Sequence, residues 1–166
     1  MVKWRGTMIL EPQKRISVKA LTVWRISGVI KILISWILAG AAIFLLHIFN
    51  GPFWISLLLI AIELISTYFI IYLLPSLRWR RFRYDVREEE IELQEGILIV
   101  KRTLIPMIRV QHVDTVQGPI LRKYQLASVI INTAATAHEI PALEESEAEE
   151  IRHFISNLAR VADEDV

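Results

Sequence analysis

The pattern of apolar and polar positions divides this 166-residue chain in two. From Ile26 to Leu74 apolar residues run almost without interruption, in two stretches joined by Asn50-Gly51-Pro52. Only Lys31, His47 and Glu63 are acidic or basic side chains among those 49 positions. About 20 apolar residues at 1.5 Å rise cross the ~30 Å of a bilayer's hydrocarbon, so each stretch has room for a span. Soluble helices of this length carry a polar stripe, and neither stretch does. The pattern predicts a transmembrane helical hairpin over 26–74 rather than a core helix pair of a soluble protein. Asn-Gly-Pro supplies the turn. Pro75 is expected to end the second span, because it lacks an N–H and crowds the preceding helical turn. Ahead of the first span, Pro12 is expected to open a short helix.

From Trp79 onward the apolar period changes to two. Phe82, Tyr84 and Val86 alternate with Arg81, Arg83 and Asp85, and Glu90-Ile91-Glu92-Leu93-Gln94 alternates cleanly. Gly96 punctuates, and Ile97-Leu98-Ile99-Val100 reads as a β-branched strand run. Pro106 breaks it, Ile108 to Val113 resumes strand character, and Gly118-Pro119 marks a turn. Leu126–Asn132 and Ala137–Pro141 complete a set of short strands, which predicts a small antiparallel sandwich or barrel. The last segment is helical. Ser146-Glu147-Ala148-Glu149 has capping-box spacing. Ile151, Phe154, Ile155 and Leu158 follow at i, i+3, i+4 and i+7, as one buried stripe. The resulting division is a basic juxtamembrane segment over 1–25, the hairpin over 26–74, a cytosolic domain over 79–160 and an acidic tail over 161–166.

Charge orients this scheme. The net is only +1, but residues 1–31 hold seven Lys or Arg against one acid. Arg78, Arg80, Arg81 and Arg83 follow the second span, and residues 144–166 hold eight acids against two bases. Basic residues flank the hairpin's open end and none lies in its turn, so the positive-inside rule places both termini in the cytoplasm. The arginine collar suits a topology anchor and also anionic lipid headgroups. The soluble part has no basic excess, which argues against nucleic acid as a partner. With no cysteine, disulfides and thiolate metal sites are excluded, in keeping with a reducing compartment. The first apolar run is too long for a signal-peptide core.

Candidate chemistry is sparse. Counting from the turn places Glu63 level with Ala39 and Gly40, and a charged carboxylate at that depth costs several kcal/mol or more. Three roles stay open for it: a hydrogen bond within its own hairpin to Ser35, Trp36, Ser66 or a backbone carbonyl, a contact to another membrane protein, or a proton or ion path. Gly40, among small residues, admits a close neighbouring helix. Lys101, Arg102, Arg109, Arg122 and Lys123 either converge as a basic patch or stand dispersed, since strand register decides which side chains meet. His112 and Asp114 share a strand face as a hydrogen-bonded pair; two ligands make no metal site. There is no P-loop, dinucleotide glycine motif, paired-His zinc motif or nucleophile elbow, so no enzyme, cofactor or metal is expected.

Over Arg83 to about Leu158 the chain resembles the bacterial pleckstrin-homology-like domain. The residues that carry the resemblance are Arg83-Tyr84-Asp85-Val86, Gly96, Arg102, Ile105-Pro106, Ile108 through Val113, Gly118-Pro119, Arg122, Leu126-Ala127, Ile131 through Ala134, and Ile140-Pro141 with the closing helix. Lys14-Arg15-Ile16 and Trp24-Arg25 before the hairpin are similar to the small bacterial membrane proteins of that group. Ala135 stands where the family pattern often has Gly, so that turn is expected to differ. The resemblance implies a partly open barrel of seven or so strands capped by a C-terminal helix. It also implies a binding module, a companion carrying several such domains, and protection of the cell envelope against antimicrobial compounds.

Three functions compete on these grounds. The leading one is a non-catalytic, membrane-anchored scaffold that assembles with a partner membrane protein with related domains, or with itself. The others are a sensor of anionic lipid headgroups and a transporter subunit or intramembrane enzyme using Glu63.

Overall fold

The computed structural model describes residues 12–164. Lys3, Trp4 and Arg5 of the basic leader lie outside them, as do Asp165 and Val166 of the acidic tail. Pro12 does not open a helix. Residues 12–17 form no helix, and Lys14 forms an isolated antiparallel bridge with Tyr84. The first helix, α1, spans Lys19–Ile48. Its end is a Schellman motif: Asn50 adopts φ 52°, its N–H bonds His47 O, and Gly51 N–H bonds Leu46 O at 2.7 Å. The Asn-Gly-Pro turn thus satisfies carbonyls that the helix end would otherwise leave bare.

The second rod, Phe53–Arg81, is continuous. It comprises α2 (Phe53–Tyr68), a π turn (Phe69–Leu73) and α3 (Leu74–Arg81). The expectation that Pro75 stops the helix fails here. A π turn widens the hydrogen-bond spacing just before the proline, which relieves the ring's conflict with the preceding turn and lets the rod run on to the arginine collar. That turn meets α1 at Gly28, where an added Cβ would sit 3.1 Å from Ile70 O. Both rods are long and apolar enough to cross a membrane.

The remaining chain forms two three-stranded antiparallel sheets, not a closed barrel. The first holds β1 (Arg83–Val86), β2 (Glu90–Glu95) and β3 (Lys101–Pro106), in that order. A 3-10 turn at Met107–Arg109 leads to β4 (Val110–Val116). Pro119 begins a short helix, α4 (Pro119–Lys123), before β5 (Leu126–Thr133) and β6 (Ala137–Glu144). Strand β5 is central in the second sheet. Leu126 to Val129 and Ile131 are buried, and each of its two pairings shifts register once, between Val110 and His112 and between Ala127 and Val129.

Ile97–Val100 is not a strand. With Gly96 it forms the loop that closes the β2–β3 hairpin between Glu95 and Lys101. Gly96 sits at φ 115°, and a Cβ there would overlap the carbonyl oxygen of Ile99. Only glycine suits both demands.

The closing helix, α5, spans Glu145–Glu164 and reaches into the acidic tail. Ser146 lies inside it, so the capping-box role does not hold; Glu149 instead takes the Arg152 guanidinium at 2.6 Å. Ala148, Ile151 and Ile155 form its buried face. Phe154 is the exception to the predicted stripe, at 42 % exposed, because the buried face passes through Ala148, Ile151 and Ile155 and leaves Phe154 at its margin. The core joins Tyr84, Ile91, Ile105, Leu126, Val129, Ile131, Ile140 and Leu143 with Ile16, Ala20 and Val23 from the start of the chain.

Candidate functional site

The chemistry concentrates where the helical hairpin meets the sheets. Ile16, Ala20 and Val23 are buried with the domain core, so α1 begins inside the domain. Polar contacts reinforce this. Trp79 Nε1 donates to Ser17 O at 3.2 Å. Ser17 Oγ donates to Glu144 Oε1 at 2.9 Å, and Lys19 Nζ meets Glu144 Oε2 at 3.0 Å. The Lys19 ammonium, then the Ser17 hydroxyl, hold the Glu144 carboxyl below its ordinary range. Across the domain, Tyr84 OH donates to Glu147 Oε1 at 2.6 Å. Burial, then that carboxylate, pushes the Tyr84 phenol far above its usual range.

Aromatic rings take up part of the arginine collar. Arg78 lies 4.6 Å over Trp24, Arg25 5.7 Å over Tyr72 and Arg15 5.8 Å over Trp79, each within cation–π range. The first two pairs link one rod to the other. Arg80 and Arg81 are exposed, and Arg83 is partly covered, with Nη1 donating to Phe82 O.

Along the hairpin, Ser35 Oγ donates to Glu63 Oε1 at 2.8 Å. Thr67 Oγ1 donates to Glu63 O and accepts from Trp36 Nε1 at 3.2 Å. Glu63 thus bonds Ser35, one of the partners expected for it within its own hairpin, and a glutamate side chain reaches about one helical turn, ~5 Å, along the neighbouring helix. Its Oε2 is buried without a hydrogen-bond partner. Gly40 has nothing within 4 Å of a built Cβ, so it faces away from its own hairpin.

The five domain cations do not gather at one point. Lys101 lies 3.9 Å from Glu95 and shares a groove with Arg78. Arg102 donates to Gln94 Oε1 at 3.1 Å and approaches Glu92. Arg109 lines an open cleft of about 770 Å³ between β3 and the β5–β6 turn. Arg122 and Lys123 sit on α4, whose first turn borders a cavity with Val23, Trp24, Ser27 and Arg78. His112 Nε2 lies 3.5 Å from Asp114 Oδ2, which also accepts from Asn132. Among the described residues no three His, Cys, Asp or Glu side chains cluster to hold a metal.

Sequence reasoning missed Glu92. Its alternation marks it as outward-facing, yet it is only 4 % exposed. Arg87 Nη2 at 3.6 Å and Arg102 Nε at 3.7 Å cover it, and Arg87 also bonds Asp85 and Glu90. Opposite charges on adjoining strands were the available signal, but only the register brings them together.

The sequence that builds this assembly matches known proteins. The Bacterial PH domain family matches residues 18–159. The chain belongs to that family. The match begins at the foot of α1, in keeping with a PH domain whose core takes in the start of the hairpin. The chain is 46 % identical over 156 residues to UPF0699 transmembrane protein YdbS of Bacillus subtilis (strain 168), covering 94 % of this chain and 98 % of that protein. It is 29 % identical over 83 residues to UPF0699 transmembrane protein YdbT of the same organism, which is 48 % of this chain and 17 % of that one. No solved structure matches.

Proposed function

We propose that the hairpin inserts in the cell membrane with both termini cytoplasmic. There the PH-like domain serves as a non-catalytic scaffold that assembles with a membrane protein carrying related domains, or with a second copy. One observation carries the reading: Ala20 and Val23 of α1, with Ile16 just before it, belong to the domain core while α1 continues as the first apolar rod. A protein bound at the domain and one bound along the hairpin would act on a single body. The stretch of YdbT that matches makes a protein with a similar domain a suitable partner class. By resemblance, the assembly would protect the cell envelope against antimicrobial compounds.

Within the hairpin, Glu63 offers the polar contact and Gly40 the close approach. Glu63 Oε2 has no hydrogen-bond partner inside the hairpin, and a turn of the carboxyl toward the outer face would present it to a donor from a neighbouring helix. Such a bond contributes roughly 0.6–2 kcal/mol, enough to bias association. Cross-linking in native membranes, followed by purification and mass spectrometry, should recover a membrane protein with related domains, or this chain itself. Glu63→Leu should weaken that recovery, and Glu63→Gln, which keeps an acceptor, should largely preserve it. Recovery of no membrane protein in cross-linked form would end the scaffold reading. Undiminished recovery with Glu63→Leu would move the contact to the cytosolic domain. Normal assembly with function lost in both variants would favour the transporter role.

Lipid sensing is the second reading, favoured by the exposure of Arg80 and Arg81 beside the span. Each cation near an anionic surface contributes about 1 kcal/mol.

A further inference from the structure

The two most exposed large apolar residues of the domain lie side by side. Leu98 and Ile99, at the tip of the β2–β3 hairpin, are 93 % and 84 % exposed. Val100 is also exposed, and Ile97 lies beside them. Four successive large apolar side chains at a loop tip contribute nothing to the core. The tip is nonetheless shaped: Gly96 at φ 115° folds the chain back until the Ile99 carbonyl fills the space of a Cβ. The next strand residue, Lys101, places a cation at its base.

Its position identifies what it meets. Ile97 shares the walls of one open groove with Trp24, Gly28 and Lys31 of α1 and with Leu74 and Arg78 of the second rod. From Ile48, 20 residues back along α1, about one hydrocarbon thickness, reaches Val29. Gly28 and Lys31 therefore mark the domain-side boundary of the hydrocarbon, and Ile97 stands level with it. A second groove, of about 620 Å³, runs from Arg78 and Lys101 to Leu98 and Ile99, with Glu95 at its rim. Apolar side chains below two cations match the order of acyl chain and phosphate in a lipid monolayer.

We propose that the Ile97–Val100 tip dips into the cytoplasmic leaflet as a third membrane contact, with Arg78 and Lys101 at the depth of the lipid phosphates. This inference rests on the reading of the hairpin as a membrane anchor. It goes beyond that reading by fixing the face that the domain turns to the bilayer: the loop end of the first sheet lies on the lipid.

The chain has no cysteine, so single-cysteine variants are direct. The full chain carrying Leu98→Cys or Ile99→Cys is labelled with an environment-sensitive fluorophore and reconstituted in phosphatidylglycerol–phosphatidylethanolamine vesicles. Ile37→Cys, in the hairpin, and His153→Cys, on α5, are labelled in parallel. The tip probes should show blue-shifted emission and lose fluorescence to brominated acyl chains, as Ile37→Cys does. His153→Cys should be quenched by aqueous iodide. Lipid contact at Ile37→Cys with iodide quenching at both tip probes overturns the inference and leaves the anchor intact. Iodide quenching at Ile37→Cys as well overturns the anchor itself. Blue-shifted tip emission that vanishes on diluting the protein in lipid, without bromine quenching, assigns the tip to a second copy and overturns the inference.

Discussion

Tyr84 and Glu147, 63 residues apart in sequence, are joined by a 2.6 Å hydrogen bond from the phenol to Oε1. Tyr84 belongs to the first sheet and Glu147 to α5, which packs on the second, so this bond clasps the two halves of the domain. A hydrogen bond to a charged group contributes about 1.5–3 kcal/mol. Tyr84→Phe should therefore lower the stability of the domain by that amount, with the fold intact, as read by chemical denaturation in detergent. An unchanged midpoint would mean that the core alone joins the sheets.

The two faces of α5 should respond differently to truncation. Ile155 is fully buried, and Ile155→Ala should cost about 2–5 kcal/mol. Phe154 is 42 % exposed, and Phe154→Ala should cost about 0.5 kcal/mol or less. Equal losses in the two variants, measured by thermal melting, would place Phe154 against a surface that this chain does not itself supply.

Glu144 ties the foot of α1 to β6, and Lys19 and Ser17 hold its pKa below the ordinary value. A carboxyl depressed on folding stabilises the folded state above its unfolded pKa, and that stability is lost as pH falls through the folded value. The joint should therefore be constant at neutral pH and weaken only below the ordinary carboxylate range. Wild type and Glu144→Gln should differ in melting temperature at pH 7 and converge as the pH is lowered past that range. The group is well exposed, so the difference will be small.

Much of this architecture was legible in residue spacing. The apolar runs gave both rods and Asn50-Gly51 their turn, because a helix end has a short list of chemical solutions. Period-two alternation located β1 and β2, and strand character between turn signals located β4 and β5. The misreadings share a cause. Ile97–Val100 has strand composition, but composition does not say whether a run is buried in a sheet or carried on a tip. Pro75 reads as a stop because the π turn that accommodates it has no sequence signature. Lys14 pairs with Tyr84 across 70 residues, and local pattern carries no information on such pairing. The candidate site was legible in parts. The arginine collar and Glu63 stand out by type and position, and Ser35 lies within the set of hairpin partners that sequence position allows Glu63. The cation–π pairs, the cover over Glu92 and the dispersal of the basic patch depend on register and rotamer, which one sequence does not encode locally.

Assembly with a membrane partner and contact with the cytoplasmic leaflet both require the domain to face the cytoplasm. Cysteines placed singly at Asn50 and His153 test this with a membrane-impermeant maleimide in intact cells. Ten Lys or Arg flank the open end of the hairpin and none lies in Asn50-Gly51-Pro52, so Asn50→Cys should label from outside and His153→Cys only after permeabilisation. Labelling of His153→Cys in intact cells with Asn50→Cys protected would contradict the account.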